Sequence, residues 1–305
     1  MSIYSLHEKG LINVNESAQS ATVDSNITIA FALDSGYADC LKVMLASMAH
    51  NGILCRNPIV IYTDDPKLSE DPIVKIVADK ISVLSGKKKE LLYMLAKDNV
   101  QRPERADWNR GTFLKWSVFE PQETTKLLFL DVDMLVLNSL SGLLTAFTDK
   151  PLVTCPQFQQ SIKSENTDAQ LTNLLNGNFD NKHKRRINSG VMLVSEDYLS
   201  DTFFADITQY ASERVSIHEQ GLMSEYFYNK SECLGMAPSA FNYQDSYLRL
   251  ASEETYKEIL NNISILHYAG AVKPWSNSSS SVSHMRSIQL WHEYKKIANE
   301  LLSVV

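Results

Sequence analysis

Short apolar runs alternate in the N-terminal half of the chain with stretches whose apolar residues recur at helical spacing. The runs Ile27–Leu33 and Asn57–Tyr62 predict two buried strands, and Lys80–Leu84 predicts a third. Helical periodicity over Ala38–His50 and Ile73–Ala78 predicts a helix between each pair of successive strands. This alternation is typical of an α/β protein with a mostly parallel sheet flanked by helices, whose ligands bind outside the carboxyl ends of the strands.

The rest of the chain continues with both kinds of pattern. Further buried strands are predicted at Leu127–Leu130, Ile187–Val194 and Ile263–His267. Further helices are predicted at Lys87–Ala96, Trp108–Phe119, Asp197–Tyr210, Leu222–Tyr228 and Met285–Leu302.

The periodic segments suggest one large domain over residues 27–275. Residues 1–26 are polar and predict a loosely packed N-terminal arm, whereas residues 276–305 predict a serine-rich loop and a C-terminal helix packed on the same domain. Residues 157–187 are polar, contain the basic run Lys182–Arg186 and show little periodicity. Such a long insertion is either a lid or disordered.

Composition narrows the class of protein. The chain has 305 residues, of which 44% are hydrophobic, and a net charge of -7, which argues against a general nucleic-acid binder. The N-terminus lacks the apolar core of a signal peptide, and no stretch is long enough to cross a membrane. The four cysteines are widely spaced, as in reduced proteins. We therefore expect a cytoplasmic protein without a membrane span, for which peripheral membrane association stays open.

Two aspartates follow the predicted buried strand Leu127–Leu130. Asp131 and Asp133 are separated by Val132 alone, and in extended backbone residues two apart point to the same side. Two carboxylates at a buried strand end are costly to desolvate unless they share a cation, and oxygen ligands suit Mg²⁺ or Mn²⁺. The alternative for a D-x-D pattern by itself is a pair of surface aspartates at a strand end.

A second chemically dense stretch ends the predicted strand Ile263–His267. After His267, Gly270 and Lys273 follow at intervals of three residues. Glycine permits close approach of the backbone to a phosphate, lysine supplies a positive charge for it, and imidazole is a ligand of transition metals. Taken alone, the stretch also fits a core histidine beside a surface lysine.

The remaining candidate positions also have structural alternatives. Asp34–Tyr37 follows the first strand and fits either a ligand site or a plain turn with a helix cap. Lys115 lies among apolar residues of a predicted helix, where it either reaches solvent or meets an anion in a cleft. Glu219 begins a predicted helix, where a carboxylate interacts favourably with the helix dipole.

With these motifs in order, the sequence resembles glycosyltransferase family 8, which includes glycogenin, bacterial lipopolysaccharide galactosyl- and glucosyltransferases and galactinol synthases. The resemblance extends from Ile27 to Trp275. A D-x-D pattern alone is weak evidence, but D-x-D followed much later by H-x-x-G-x-x-K-P-W is strong. The motifs that carry it are Phe31–Tyr37, Leu114-Lys115, Leu130–Asp133, Asn188-Ser189-Gly190, Glu219-Gln220 and His267–Trp275.

The resemblance implies a GT-A fold with a Rossmann-like, mostly parallel sheet, and transfer of glucose or galactose from a UDP-sugar with retention at the anomeric carbon. It implies Mn²⁺, with Mg²⁺ as the alternative, held by Asp131, Asp133 and His267. It also implies a saccharide, glycolipid or protein as acceptor and no nucleic-acid partner. The sequence does not distinguish the two sugars or identify the acceptor.

The resemblance also assigns roles to individual residues. Gln220, Glu219 and Lys273 are implied as the catalytic groups, with Gln220 near the anomeric carbon, Glu219 on a sugar hydroxyl or the acceptor, and Lys273 on the departing phosphate. The remaining donor-binding residues are implied at the uridine (Asp34, Tyr37), at the donor sugar (Lys115, Asn188), at the phosphate (the backbone near Gly270) and elsewhere along the donor (Ala32, Asp131, Val132, Ser189).

Two positions depart from the family pattern. Glu219 stands where members commonly have aspartate, so the reach of the carboxylate differs by one methylene. Gly36 stands where a frequent asparagine precedes the tyrosine, which puts side-chain recognition of the uracil there in doubt.

Two other classes of protein are weighed against the transferase. A sugar-phosphate nucleotidyltransferase needs a glycine-rich basic loop after its first strand, and Asp34–Tyr37 is not one. A non-catalytic UDP-sugar or glycan-binding protein has little use for a complete set of metal ligands. The sequence therefore favours the transferase.

Overall fold

A twisted seven-stranded sheet forms the centre of the chain in its computed structural model, which describes residues 3–10, 27–98, 101, 104, 106–157, 165–177, 186–270, 272–276 and 285–302. The strands in chain order are β1 Ile27–Ala32, β2 Ile59–Thr63, β3 Lys80–Val83, β4 Lys126–Leu130, β5 Met134–Val136, β6 Leu152–Pro156, β7 Ile187–Ser195, β8 Leu234–Met236, β9 Tyr243–Gln244 and β10 Ile265–His267.

Two sheets share these strands. The larger sheet has the order β3-β2-β1-β4-β7-β6-β8, in which neighbours run parallel except on both sides of β7. The smaller sheet has the order β5-β10-β9, with β10 antiparallel to β5 and parallel to β9. The predicted mostly parallel α/β sheet is therefore confirmed.

Helices cover both faces of the larger sheet. Their bounds are α1 Ile3–Glu8, α2 Ala38–His50, α3 Pro72–Val77, α4 Gly86–Asp98, α5 Ala106–Leu114, α6 Ser141–Thr145, α7 Thr167–Leu175, α8 Asp201–Ser212, α9 Glu219–Tyr228, α10 Asp245–Leu248, α11 Glu253–Asn262 and α12 Arg286–Leu302.

Alternation along the central strands divides the core into two layers. On β1, Ile29 and Phe31 face the layer that contains α2 and α3, whereas Ala30 faces the opposite layer. On β4, Leu128 and Phe129 point in opposite directions in the same way. Side chains of a strand alternate between the faces of a sheet, so a continuous apolar run is buried only where helices cover both.

The D-x-D segment connects the two sheets. It begins directly after β4 of the larger sheet and ends directly before β5 of the smaller one. The two aspartates therefore lie in a bend between strands, not in the extended strand that the spacing predicted. This connection places them at the carboxyl end of β4, beside the carboxyl end of β1, which pairs with β4 in parallel.

The structure differs from the sequence predictions at several elements. The short strands β5, β8 and β9 have two or three residues, too few to show a period, and β6 was likewise not predicted. The helix predicted over Trp108–Phe119 divides into α5 and a 3-10 turn, Lys115–Phe119. The turn changes the direction of the chain at Lys115 and buries that side chain.

Two segments predicted as loosely packed contain ordered helices. Within residues 1–26, α1 buries Ile3 and Leu6 against the core, so the prediction of a loose arm is wrong for residues 3–8. Within residues 157–187, which were predicted as either a lid or disordered, α7 buries Leu171 and Leu174, so disorder is wrong for residues 167–175. The basic run at 182–186 and the serine-rich loop lie mostly outside the described residues.

The C-terminal helix α12 packs on α2. Trp291 and Tyr294 are buried in this contact, and Asn51 Nδ2 donates to the Tyr294 hydroxyl at 3.1 Å. The division into an arm, one domain and a C-terminal segment stays a prediction. Among the described helices, none is both long enough and apolar enough to span a membrane.

Candidate active site

Hydrogen bonds to both sheets fix the backbone of the D-x-D segment. The Asp131 backbone N–H donates to the Gly190 carbonyl of β7 at 2.8 Å, and the Tyr268 N–H donates to the Asp133 carbonyl at 2.9 Å. Between the aspartates, the Val132 side chain is buried in the core. The bend therefore turns both carboxylates away from the core, toward a common site.

Asp131, Asp133 and His267 form a group that could hold a metal ion. Each offers one ligand atom, and these atoms all lie within 4.8 Å of one another. His267 ends β10, and its Nε2 lies 3.2 Å from Asp133 Oδ1. The ring needs a glycine beside it, because a Cβ built on Gly190 would lie 2.7 Å from His267 Cε1. Two carboxylates and an imidazole suit a transition metal.

Lys115 lies at the centre of one charged group, here called the Lys115 cluster (Lys115, Asp131, Ser189 and Glu219). Its Nζ lies 3.0 Å from Asp131 Oδ1 and 3.4 Å from Glu219 Oε1. The Ser189 hydroxyl donates to Glu219 Oε1 at 2.6 Å. The Lys115 side chain is only 8% exposed. Of the two alternatives left open for Lys115, the structure therefore shows a buried lysine that meets anions.

Lys273 belongs to a second group, the Lys273 cluster (Asp133, Asn242, His267 and Lys273). Its Nζ lies 2.6 Å from Asp133 Oδ2 and donates to the Tyr268 carbonyl at 2.8 Å. His267 also belongs to this cluster, so the histidine and lysine of the H-x-x-G-x-x-K motif meet the same aspartate. Gly270 lies between them and has φ +122°, a backbone conformation that residues other than glycine rarely adopt.

Burial and charge shift the acid–base equilibria of the Lys115 cluster. Burial lowers the pKa of Lys115, but the carboxylates of Asp131 and Glu219 outweigh this effect and raise it. Burial raises the pKa of Glu219, but Lys115 holds it well below its usual range. Lys115 and Glu219 are therefore both charged at neutral pH.

The two aspartates of the D-x-D segment respond in opposite ways. Burial raises the pKa of Asp131 despite Lys115, and the negative charge of Asp133 adds to that rise. Burial also raises the pKa of Asp133, but the Lys273 ammonium group holds it well below its usual range. The pair thus pushes one carboxyl toward its neutral form, and a cation shared between them would relieve this repulsion.

The residues predicted for the uridine lie at the carboxyl end of β1. The Asp34 carboxylate caps the following turn by accepting from the Gly36 N–H at 2.8 Å. A Cβ on Gly36 would lie 3.0 Å from Asp34 Oδ1, so any side chain at this position would make a tight contact with that carboxylate. Tyr37 packs edge-on against Trp275 at 6.1 Å, and Ala32 ends the strand, half-buried.

The sequence model of glycosyl transferase family 8 matches residues 28–279. The chain belongs to this family. The predicted family and GT-A fold are confirmed. Glycosyltransferases of family 8 typically use a divalent metal, and the Asp131, Asp133 and His267 group is a candidate site for one. The family and its fold support a glycosyltransferase with a nucleotide-sugar donor and a saccharide acceptor.

Solved structures show the same fold at low sequence identity. The galactosyltransferase LgtC, in complex with donor and acceptor sugar analogues, is 18% identical with a TM-score of 0.59, covering 88% of this chain and 95% of LgtC. The glycosyltransferase GlyE of Streptococcus pneumoniae is 18% identical with a TM-score of 0.58, covering 92% of this chain but 64% of GlyE. No curated protein matches the sequence.

An active-site mutant of LgtC is similar to the same extent, at 19% identity and a TM-score of 0.59, covering 88% of this chain and 94% of the mutant. At these identities the likeness shows the fold of the family 8 chain and nothing finer. The roles of individual residues therefore rest on the geometry of this site.

A network of amide side chains supports the site, and motif analysis of this family 8 chain missed most of it. Asn188 Nδ2, Gln244 Nε2 and Gln220 Nε2 all point at Gln157 Oε1, at 2.7, 3.2 and 3.4 Å. Asn242 connects Asn188 to the metal-site histidine. Gln157, Asn242 and Gln244 lie outside the motifs, and a buried position on or beside a two-residue strand such as β9 gives no sequence signal.

A buried ion pair behind the site was also missed. The Asp245 carboxylate at the start of α10 contacts the Arg249 guanidinium directly after that helix, and Arg249 also donates to the Val272 carbonyl at 3.5 Å, next to Lys273. Burial raises the pKa of Asp245 to about 6. Opposite charges four residues apart are a pattern that sequence reasoning could have found.

Proposed function

We propose that this protein is a retaining, metal-dependent glycosyltransferase that moves glucose or galactose from a UDP-sugar to a hydroxyl acceptor. The observation that carries the proposal is the meeting of the Asp131, Asp133 and His267 ligand atoms within 4.8 Å, with a lysine on each side. Two carboxylates and an imidazole fit Mn²⁺, with Mg²⁺ as the alternative. A bound cation would stabilise the negative charge of a diphosphate.

Lys273 is placed to stabilise the departing phosphate. Its ammonium group is held beside the metal ligands by Asp133 and by the Tyr268 carbonyl. When the bond between sugar and phosphate breaks, negative charge builds on the UDP, and a positive charge already in position stabilises it. Gly270 lies three residues before Lys273, and no atom lies within 4 Å of a Cβ added there. A phosphate could therefore approach the backbone at Gly270.

The sugar would lie against the Lys115 cluster and the start of α9. Glu219 begins that helix as a charged, buried carboxylate, which suits binding of a sugar hydroxyl or of the acceptor. Gln220 follows it, and its Oε1 accepts from the Ser189 N–H at 3.1 Å, which orients the amide. An amide oxygen near the anomeric carbon would stabilise the positive charge that develops there. Lys115 holds Asp131 and Glu219 in place.

The uridine would lie at the carboxyl end of β1. Asp34 and Tyr37 offer a carboxylate and an aromatic ring there, beside Ala32 at the end of the strand. The buried Val132 side chain leaves only its backbone for contact with the donor. The acceptor that fits this scheme is a saccharide, a glycolipid or a protein hydroxyl.

The four cysteines carry free thiols, which supports our expectation of a cytoplasmic protein.

The test is a panel of UDP-sugars incubated with the protein and Mn²⁺, with UDP release by slow hydrolysis as the readout. One UDP-hexose should be hydrolysed, and a chelator should stop the release. This identifies the donor before any acceptor is known.

The test variant is Asp133→Asn, which removes the charge of one proposed metal ligand. Its matched control is Asp201→Asn, which makes the same change at an exposed position on α8. Asp201→Asn should be fully active and Asp133→Asn inactive. Binding of UDP with Mn²⁺ but no turnover of any donor would instead indicate a non-catalytic binding protein. Equal turnover by both variants would refute the metal assignment.

A further inference from the structure

We propose that Asn242 is a positioning residue that fixes the tautomer of His267, so that Nδ1 carries the ring proton and Nε2 presents its lone pair to the metal site. The orientation of Asn242 is in turn determined by the backbone N–H of Gly190 through Asn188. The inference rests on the proposed metal-dependent function and adds a residue that no motif contains.

The reasoning starts at the backbone N–H of Gly190, which can only donate. It lies 2.9 Å from one atom of the Asn188 amide, and that atom must therefore be the carbonyl oxygen Oδ1. The other amide atom, Nδ2, then faces Gln157 Oε1 at 2.7 Å. The two ends of the Asn188 amide are thus distinguished by a group whose role is beyond doubt.

The next step is from Asn188 to Asn242. The Asn242 atom that lies 3.0 Å from Asn188 Oδ1 must be a donor, and is therefore the amino group Nδ2. The remaining atom of the Asn242 amide, its carbonyl oxygen, lies 2.8 Å from His267 Nδ1. A carbonyl oxygen can only accept, so Nδ1 must carry a proton.

Burial makes this arrangement stringent. Asn242 is 1% exposed, and Asn188 and His267 are each 4% exposed, so water has little access to correct a wrong orientation. Reversing the Asn242 amide would bring two oxygens together at Asn188 and put a donor opposite His267 Nδ1. A single amide orientation therefore follows from the fixed backbone, and a single neutral tautomer follows from the amide.

The consequence appears on the other side of the ring. His267 Nε2, without a proton, faces Asp133 Oδ1 at 3.2 Å, so that a lone pair meets a carboxylate. A cation between them resolves this contact. Hydrogen-bond partners that fix a metal-binding histidine typically change metal affinity by about 10–100-fold.

The direct test is the nitrogen NMR spectrum of histidine-labelled protein without metal, which distinguishes a protonated from an unprotonated ring nitrogen. The His267 signals are those missing from a His267→Ala variant. At a pH where the ring is neutral, we expect proton-bearing Nδ1 in the wild type and a mixture of tautomers in Asn242→Ala. A proton on Nε2 in the neutral wild-type ring would overturn the inference.

The second test is Mn²⁺ binding in the presence of UDP, followed by electron paramagnetic resonance of free Mn²⁺. Asn242→Ala should weaken binding by about 10–100-fold. Asn242→Asp keeps an oxygen opposite Nδ1 but places a second oxygen against Asn188 Oδ1, so it should restore only part of the affinity. Asn57→Ala is the matched control, because Asn57 is also buried (3% exposed) and donates to the Ile27 carbonyl away from the site.

The outcomes separate this inference from the proposed function. If the wild type does not bind Mn²⁺, the proposed metal dependence fails and the NMR result still decides the tautomer. If the wild type binds and Asn242→Ala binds equally well, the metal dependence stands and the role of Asn242 is refuted. If Asn57→Ala weakens binding as much as Asn242→Ala, a general loss of structure explains both, which also refutes it.

Discussion

The two lysines of the candidate active site have different surroundings although each contacts one aspartate of the D-x-D segment. Lys115 lies on a 3-10 turn beneath the sheet, 8% exposed, between the carboxylates of Asp131 and Glu219. Lys273 lies on the connection after β10, 20% exposed, and its carboxylate partner is Asp133. One lysine is enclosed by the fold, and the other is carried by a loop.

This difference indicates a structural role for Lys115 and a catalytic role for Lys273. Removing Lys115 would leave buried negative charges uncompensated, so its charge is part of what keeps the site folded. Lys273 has fewer charges to balance and more access to solvent. Its ammonium group can therefore turn to a phosphate at small structural cost, and its effect should fall on catalysis.

The largest effect should come from Asp133→Asn, which removes the partner of Lys273 and one metal ligand together. We expect turnover to fall about a thousandfold, about 4 kcal/mol of transition-state stabilisation, because the phosphate would lose the cation and Lys273 would lose the carboxylate that positions it. The free energy of unfolding should change little by comparison. Donor hydrolysis with Mn²⁺ and denaturant unfolding measure the two quantities, and activity close to wild type would contradict this assignment.

Lys115→Met should lower the free energy of unfolding by about 3 kcal/mol, the cost of leaving buried carboxylates without a partner. Lys273→Met should lower it by less, because Lys273 is more exposed and balances one carboxylate, whereas Lys115 balances two. Denaturant unfolding of the two variants side by side gives the comparison. Equal losses of stability would mean that the two lysines do not differ as we propose.

The third effect is that of Lys273→Ala on catalysis. We expect kcat to fall about thirtyfold, or about 2 kcal/mol, with a smaller change in KM, because the interaction strengthens as charge develops on the leaving group. Steady-state kinetics with the donor found in the panel measures both constants. A raised KM with unchanged kcat would show that Lys273 binds ground and transition states equally.

Local patterns predicted the framework and much of the site, but not the contacts that assemble it. The strands β1, β4 and β7 were predicted because each is an apolar run long enough to read. Asp131 and Asp133 were predicted from their spacing after a buried strand, whereas the family resemblance implied that His267 joins them. The structure brings all three together.

The missed features depend on residues distant in sequence. The contact of Lys115 with Glu219 requires the chain to return through β7 to α9. Asn242 and Gln157 reach the site because β9 pairs with β10 and because Gln157 directly follows β6. Sequence spacing gives no information about such meetings, and an asparagine looks the same whether it is exposed or fixes a histidine.

Glu219→Gln should lower kcat about tenfold, or about 1.4 kcal/mol, by removing the negative charge that faces the sugar. The structure alters what this variant tests. Glu219 is both the first residue of α9 and a partner of Lys115, so some stability should be lost as well. Kinetics must therefore be measured well below the melting temperature. Unchanged kcat would leave Glu219 with a structural role alone.

The smallest effect concerns an exposed ion pair between a lysine and an aspartate, which serves as the reference for the buried ion pairs of the site. Lys295 on α12 contacts Asp39 on α2 at 2.8 Å, and Asp39 is 65% exposed. Lys295→Ala should cost about 0.5 kcal/mol of stability at neutral pH and low salt, a value typical of surface pairs. Thermal or denaturant unfolding at two salt concentrations measures it.

The pH dependence of this pair has a definite sign. The hydrogen bond from Lys295 lowers the pKa of Asp39 in the folded protein. A carboxyl whose folded pKa is lowered contributes stability above its unfolded pKa and loses it as the pH falls through the folded pKa. The difference in free energy of unfolding between wild type and Lys295→Ala should therefore vanish in acid, and also in about 1 M salt, where exposed charges are screened.

The loss of stability caused by Lys115→Met should persist in that salt at neutral pH, because its partners are buried. If salt abolished both differences equally, burial would not be what separates the lysines of the site from those of the surface.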